Sequence, residues 1–254
     1  MDWRRAKSVL IFAFVMLNIL LGYQLWLDVR ERLDSNMDVT DLPPETQRVM
    51  QEKNVRLLGK IPAGTPVLPD LEYRFTKTPD TTGEIPLQTP VDTRIIFNEK
   101  ELLDELGGTI PSLTDYAFDS EVSTFGTDGV LVMYRMADKL PMFDVRLELR
   151  YSNQKIMAYR QLAVEQVKHG KTREQAVLSA SKAIGRLIEK YLQPGSAIKD
   201  IRLGYHGLFF DTDMQVASPS WRVLLEDGEI YYINALTAEV VIENEAAGKA
   251  EEGP

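Results

Sequence analysis

From Ser8 to Leu27 the chain runs for 20 residues, SVLIFAFVMLNILLGYQLWL, without a single charge. At about 1.5 Å per helical residue, a run of that length reaches across the roughly 30 Å hydrocarbon core of a bilayer. Arg4, Arg5 and Lys7 precede it and Asp28 follows at once. A basic flank ahead of an apolar span stays on the cytoplasmic side, so everything after Leu27 is expected outside the membrane. Tyr23 and Trp26 fall where interfacial aromatic anchors belong, at the outer headgroup level. The competing reading is a cleaved signal peptide. Its apolar region is shorter, about 7–15 residues, and ends on a small-x-small site. Gly22-Tyr23-Gln24-Leu25-Trp26 supplies no such site, which favours an uncleaved single-pass anchor.

Charge bounds the partners of the exported part. Of 29 basic and 38 acidic residues, three and one precede the span, leaving 26 against 37, or −11, beyond it. Binders of nucleic acid or of anionic lipid faces need clustered basic charge, so neither partner is expected for this body. There is no cysteine, so an exported fold either rests on its core or belongs where oxidative folding is little used.

The pattern beyond the span predicts an α+β fold. Residues 28–92 read as a polar stalk and a proline-rich segment, with a helix opening at Pro43-Pro44 and six of the 13 prolines between Lys60 and Pro90. Proline removes a ladder donor, so this segment is expected to be a packed surface loop or a linker rather than central sheet. Residues 93–165 form a first module. Asn98-Glu99-Lys100-Glu101 caps a helix carrying Leu102, Leu103 and Leu106. Strands are expected at Tyr116–Phe125, Val130–Met136, Phe143–Arg150 and Ile156–Val164, with turns at Thr127-Asp128-Gly129 and Ser152-Asn153. Phe143, Val145, Leu147 and Leu149 alternate with Asp144, Arg146, Glu148 and Arg150, the mark of a strand with one wet face.

Residues 166–243 repeat that order. Thr172-Arg173-Glu174-Gln175 reads as a capping box opening a helix that Pro194-Gly195 ends. Strands follow at Ile201–Phe210, Trp221–Leu225, Ile230–Asn234 and Val240–Ile242, and Asp227-Gly228 is a strong hairpin signal. Pro141 and Pro219 hold matching places, each opening a strand two residues later. Two helix-plus-antiparallel-sheet modules are therefore expected, followed by an acidic tail, 244–254, too polar to fold.

Candidate chemistry is sparse. The two histidines, His169 and His206, are placed in a helix-preceding turn and in a strand, and neither has a companion at metal-ligand spacing. No phosphate-cradling glycine pattern precedes a helix. No catalytic, cofactor-binding or metal residue is assigned, and no cofactor is expected. Within the span, Asn18 and Gly22 lie one helical turn apart. A side-chain amide at that depth seeks a hydrogen-bond partner and a glycine lets a neighbour approach, so they form a candidate partner-contact stripe. A merely tolerated polar residue in a plain anchor is the alternative.

Three stretches together resemble the YycI (WalI) family: Met1-Asp2-Trp3-Arg4-Arg5-Ala6-Lys7; Leu17-Asn18-Ile19-Leu20-Leu21-Gly22-Tyr23-Gln24-Leu25-Trp26; and Trp221-Arg222-Val223 with Tyr231-Tyr232-Ile233-Asn234-Ala235-Leu236-Thr237-Ala238-Glu239-Val240. The last is also similar to a PepSY-type exported module, with Ala238 where such endings carry glycine. The resemblance implies a membrane-anchored regulator of Gram-positive bacteria. Its implied partners are a sister protein, YycH, and the sensor histidine kinase WalK (YycG) of the WalK/WalR (YycG/YycF) two-component system governing cell-wall metabolism. It implies contact through membrane helices and no catalytic residues. A module that binds a wall-derived or peptide ligand is the second function class, and a membrane-tethered enzyme the third.

Overall fold

The computed structural model describes residues 14–18, 21, 36–37, 42–76, 83–170, 175–207 and 214–243. No helix among them is long and apolar enough to cross a membrane. Of the Ser8–Leu27 run only the helical residues Phe14–Asn18 and Leu21 are described, so the expected span, like the tail 244–254, lies outside the described residues.

The fold is mixed α+β. After β1 (Asn36–Met37) come α1 (Pro44–Glu52), β2 (Arg56–Leu57), β3 (Ile61–Pro62), β4 (Val67–Leu68), β5 (Leu71–Phe75) and β6 (Ile85–Asp92). A 3-10 turn, Thr93–Phe97, leads into α2 (Glu99–Leu106). Asn98 caps α2 as expected: its Oδ1 accepts from the Glu101 N–H at 3.4 Å and its amide donates to Glu101 Oε1 at 2.7 Å. Next is the meander β7 (Tyr116–Asp119), β8 (Asp128–Ala137), β9 (Leu140–Ser152) and β10 (Lys155–Gln161), and β6 closes it in the order β7-β8-β9-β10-β6. Asn153 and Gln154 both have positive φ, 50° and 62°, the geometry a two-residue hairpin requires.

After β11 (Val164–His169) and β12 (Gln175–Ala176) comes α3 (Ala180–Lys190), then a second meander, β13 (Ala197–His206), β14 (Met214–Leu225), β15 (Ile230–Asn234) and β16 (Val240–Ile242), with β2 parallel beside β13. The expected capping box does not open α3. Gln175-Ala176 pairs with Leu68-Val67, Thr172–Glu174 lie outside the described residues, and Ser179 is the cap, its Oγ accepting from the Lys182 N–H at 3.4 Å. Ala238 has φ 59°, so it occupies the left-handed turn position that favours glycine and that a β-carbon strains.

The described parts of the proline-rich segment, residues 60–76 and 83–90, carry strands, contrary to the expectation of a loop or linker. β5 sits between β11 and the first residues of β14, and its Leu71 and Tyr73 are buried. The prolines avoid it. Pro86 and Pro90 lie on β6, which among the described residues pairs only with β10, as an edge strand. Pro141 and Pro219 lie inside strands rather than ahead of them. At Pro219 the strand has just exchanged partners, from β5 at Met214–Ala217 to β13 and β15 beyond, so the missing donor falls where the ladder changes.

Each meander buries one face under helices. Leu102, Leu106, Leu131, Met133, Leu147 and Leu149 make one core. Ile184, Leu187, Ile188, Trp221, Val223 and Ile233 make another. The two sheets connect where β13 runs parallel to β9 at Tyr205 and Met142. Between the pairs Tyr134–Arg146 and Arg135–Met142, β9 carries three extra residues, Phe143, Asp144 and Val145. That bulge redirects the strand and turns Phe143 toward Tyr134 and Tyr232, so the remaining faces of the two sheets meet there.

Candidate functional site

The two charged side chains most deeply buried among the described residues, Asp119 and Arg222, come together where the two sheets meet. Arg222 lies in the run Trp221-Arg222-Val223-Leu224-Leu225, all five buried, because Trp221, Val223 and Leu225 face the helices and Arg222 faces the other sheet. Its guanidinium has no exposed surface. Nη1 lies 2.8 Å from Asp119 Oδ2 of β7, and Nη2 donates to Asp200 Oδ2 of β13 at 2.8 Å. Arg202 Nη1 donates to the same Asp119 oxygen at 2.8 Å. Two cations against two carboxylates leave the cluster neutral, which is the condition for burying charge at all. The Arg222 carbon Cζ lies 5.1 Å from the centre of the Phe143 ring and 5.6 Å from that of Tyr134, both within cation–π range. Burial opposes its charge, but Tyr134, Asp119 and Asp200 outweigh it, and the guanidinium pKa is raised.

A second polar group adjoins the first. His206 Nδ1 lies 2.6 Å from Asp144 Oδ1, while Asp144 Oδ2 accepts the Gly207 N–H at 2.8 Å. The imidazole stacks on Tyr232 at 3.9 Å and 18°. Tyr232 in turn donates to Glu243 Oε2 at 3.1 Å, and burial pushes its phenol pKa well up. Asp144 is thus not on a wet face, since its side chain is only 6% exposed. The alternation of β9 is real, but the second sheet covers part of the face expected to be solvated. His169 is likewise in β11 rather than in a turn before a helix, with Nε2 2.6 Å from Asp138 Oδ2.

A histidine held by a carboxylate can act as a general base when its other nitrogen faces a nucleophile. His206 Nε2 is buried without a hydrogen-bond partner. Ser218 and Ser220 line a cleft of about 220 Å³ beside it, yet the Ser220 hydroxyl donates to the Ser218 carbonyl at 3.1 Å. The Ser220 hydroxyl is thus engaged by backbone, and the His206–Asp144 contact links β13 to β9. Among the described residues no group of three or more His, Cys, Asp or Glu side chains could hold a metal.

Of the residues singled out from the sequence, Asn18 lies in the helical turn Phe14–Asn18. Its Nδ2 donates to the Phe14 carbonyl at 2.8 Å, leaving Oδ1 free of that bond. Arg4, Arg5, Lys7, Gly22, Tyr23 and Trp26 lie outside the described residues. Sequence reasoning misses the Asp119–Arg222–Asp200 cluster, although a signal for it is present. An arginine inside a strand whose neighbours are all apolar implies that both faces are covered.

No curated protein matches the chain. Among solved structures, an uncharacterized protein from Eubacterium rectale is similar at 13% identity and a TM-score of 0.30, covering 52% of this chain and 41% of that one, a likeness too slight to carry an argument. The model of the YycI protein family matches residues 27–236. That match runs from the end of the apolar stretch through the first meander and through the second as far as β15, and the chain belongs to the YycI family.

Proposed function

We propose that this chain is a noncatalytic, membrane-anchored regulator. It changes the activity of the cell-wall sensor histidine kinase WalK (YycG), together with its sister protein YycH, through its transmembrane helix and its exported part. The family match over residues 27–236 carries this reading. The site geometry is compatible with it, because Arg222 is held between the Asp119 and Asp200 carboxylates and His206 Nδ1 against Asp144. The single-pass topology, with a cytoplasmic N-terminus, rests on Arg4, Arg5 and Lys7 ahead of the apolar run, with Tyr23 and Trp26 as outer anchors. We read residues 93–165 and 166–243 as the two exported modules; α2 precedes β7–β10 in the first and α3 precedes β13–β16 in the second, while β11 crosses the boundary between them. The cleft beside His206 favours a second reading, a module that binds a wall-derived or peptide ligand and reports it.

The span offers the direct test. Lipid tails give apolar side chains little reason to self-associate, so packing and interhelical hydrogen bonds must supply specificity there. Asn18→Leu with Gly22→Leu raises hydrophobicity and is expected to leave insertion intact. An interhelical hydrogen bond averages about 0.6 kcal/mol, so recovery of the kinase in a pull-down at matched membrane levels is expected to fall at least about threefold. Equal recovery would make this face lipid-exposed and move the contact to the exported modules.

A further inference from the structure

The chain arriving from the membrane run does not join the half that comes next in sequence. Leu42, Met50, Val55 and Ile61 enter the core of the C-terminal half, with Ile184 and Ile188 of α3. β2 runs parallel beside β13, and Gly59 lies so close to it that a β-carbon would come within 2.5 Å of the Lys199 carbonyl oxygen. We propose that the docking of α1 on α3 is a fixed joint that delivers displacements of the membrane segment to the C-terminal half, an assignment that rests on the regulatory reading above.

Three contacts make the joint. Gly185 has no side chain where α1 crosses, and Thr46 fills the gap: a β-carbon on Gly185 would lie 3.0 Å from Thr46 Oγ1. One helical turn further, Thr46 Oγ1 donates to Glu189 Oε1 at 3.3 Å. At the far end, Lys53 Nζ donates to the carbonyls of Ile188, Glu189 and Leu192 at 2.7, 3.1 and 3.1 Å. Ile188 and Glu189 belong to the last turn of α3 and Leu192 lies just past its end, where carbonyls lack intrahelical donors and the helix dipole favours a cation. One ammonium with three acceptors fixes α1 against sliding as well as separation. The loop entering α3 is tied in turn to β14, because Trp221 Nε1 donates to the Leu178 carbonyl at 2.9 Å. Arg222 is the next residue, on the opposite face, so a shift of α3 reaches the interface between the sheets. Interiors packed at crystal-like density pass such shifts on rather than absorb them.

Because the chain has no cysteine, Thr46→Cys with Gly185→Cys makes a single possible disulfide. The Thr46 Cβ lies 3.9 Å from a β-carbon built on Gly185, inside the range of about 3.5–4.5 Å that disulfides need. In the full-length chain in membranes this pair is expected to oxidise to completion. The oxidised protein should change kinase autophosphorylation as the wild type does. A pair that stays reduced, or an oxidised protein whose effect is lost and returns on reduction, would overturn the joint. Gly185→Leu wedges the helices apart and Lys53→Met removes the three donated bonds. Both are expected to keep recovering the kinase while losing most of the change in its output. Wild-type output from either variant, with its thermal transition intact, contradicts the proposal, and if Gly185→Leu fails to fold, Lys53→Met decides. A wild-type chain that does not recover the kinase faults the regulatory reading alone, since disulfide formation reads the joint without the kinase.

Discussion

Arg222→Met is expected to destabilise residues 28–254, the part beyond the span, by about 3 kcal/mol, the lower end of what breaking a buried ion pair costs. Methionine keeps much of the volume and the contact with the Phe143 and Tyr134 rings, so lost packing is a minor part. The loss comes from leaving Asp119 and Asp200 without their buried cation. Arg202 tempers it, because it still donates to Asp119 at 2.8 Å and lies 3.9 Å from Asp200. For a domain of this size, about 3 kcal/mol lowers the thermal midpoint by roughly 10 °C. Adding Asp119→Asn and Asp200→Asn should recover most of the loss, since it removes the stranded charges and leaves the half-exposed Arg202 to water. Arg222→Lys is expected to recover little, because an ammonium cannot bond two carboxylates from the fixed fork of a guanidinium. Urea denaturation of the four proteins measures these differences, and an Arg222→Met midpoint indistinguishable from wild type would remove the cluster as the tie between the sheets.

Trp221→Ala is expected to cost more, about 3–5 kcal/mol, as large aromatic-to-alanine changes in cores do. Trp221 is 1% exposed and packs in the core under α1 and α3. Its indole N–H is the donor for the Leu178 carbonyl, so the change opens a cavity and strands an acceptor at once. Trp221→Phe restores most of the volume without the donor. Its deficit against wild type should therefore be about 1 kcal/mol for the bond plus a small cavity term. The same urea titration separates the two contributions. A Trp221→Phe protein as unstable as Trp221→Ala would mean that the hydrogen bond, rather than packing, holds α3 on the sheet.

What local pattern determines is legible in the chain. Ile230–Asn234 and Val240–Ile242 are strands with the bounds expected, and the Asp227-Gly228 hairpin has Gly228 at φ 94°. The cap of α2 also stands where its side chains require. What two distant parts of the chain decide together is hidden. Alternation in β9 shows which residues share a face, but says nothing of a second sheet arriving to bury Asp144. Prolines in 60–90 argue against a central strand, yet the five residues Leu71–Phe75 between them carry none and take one. Thr172-Arg173-Glu174-Gln175 has the letters of a capping box, while Ser179 stands next to the residues that α3 can bury. The sequence neighbours of His169 and His206 give no hint of their carboxylate partners, which lie 31 and 62 residues away.

The measurement closest to the central claim is kinase autophosphorylation in vesicles holding the sensor kinase alone, with this full-length chain, and with the chain and its sister regulator together. The regulatory account predicts a reproducible change in rate when the chain is added, a further change with the sister protein, and no change with residues 28–254 added outside the vesicles. Identical rates in all of these mixtures, at confirmed co-insertion, would contradict it.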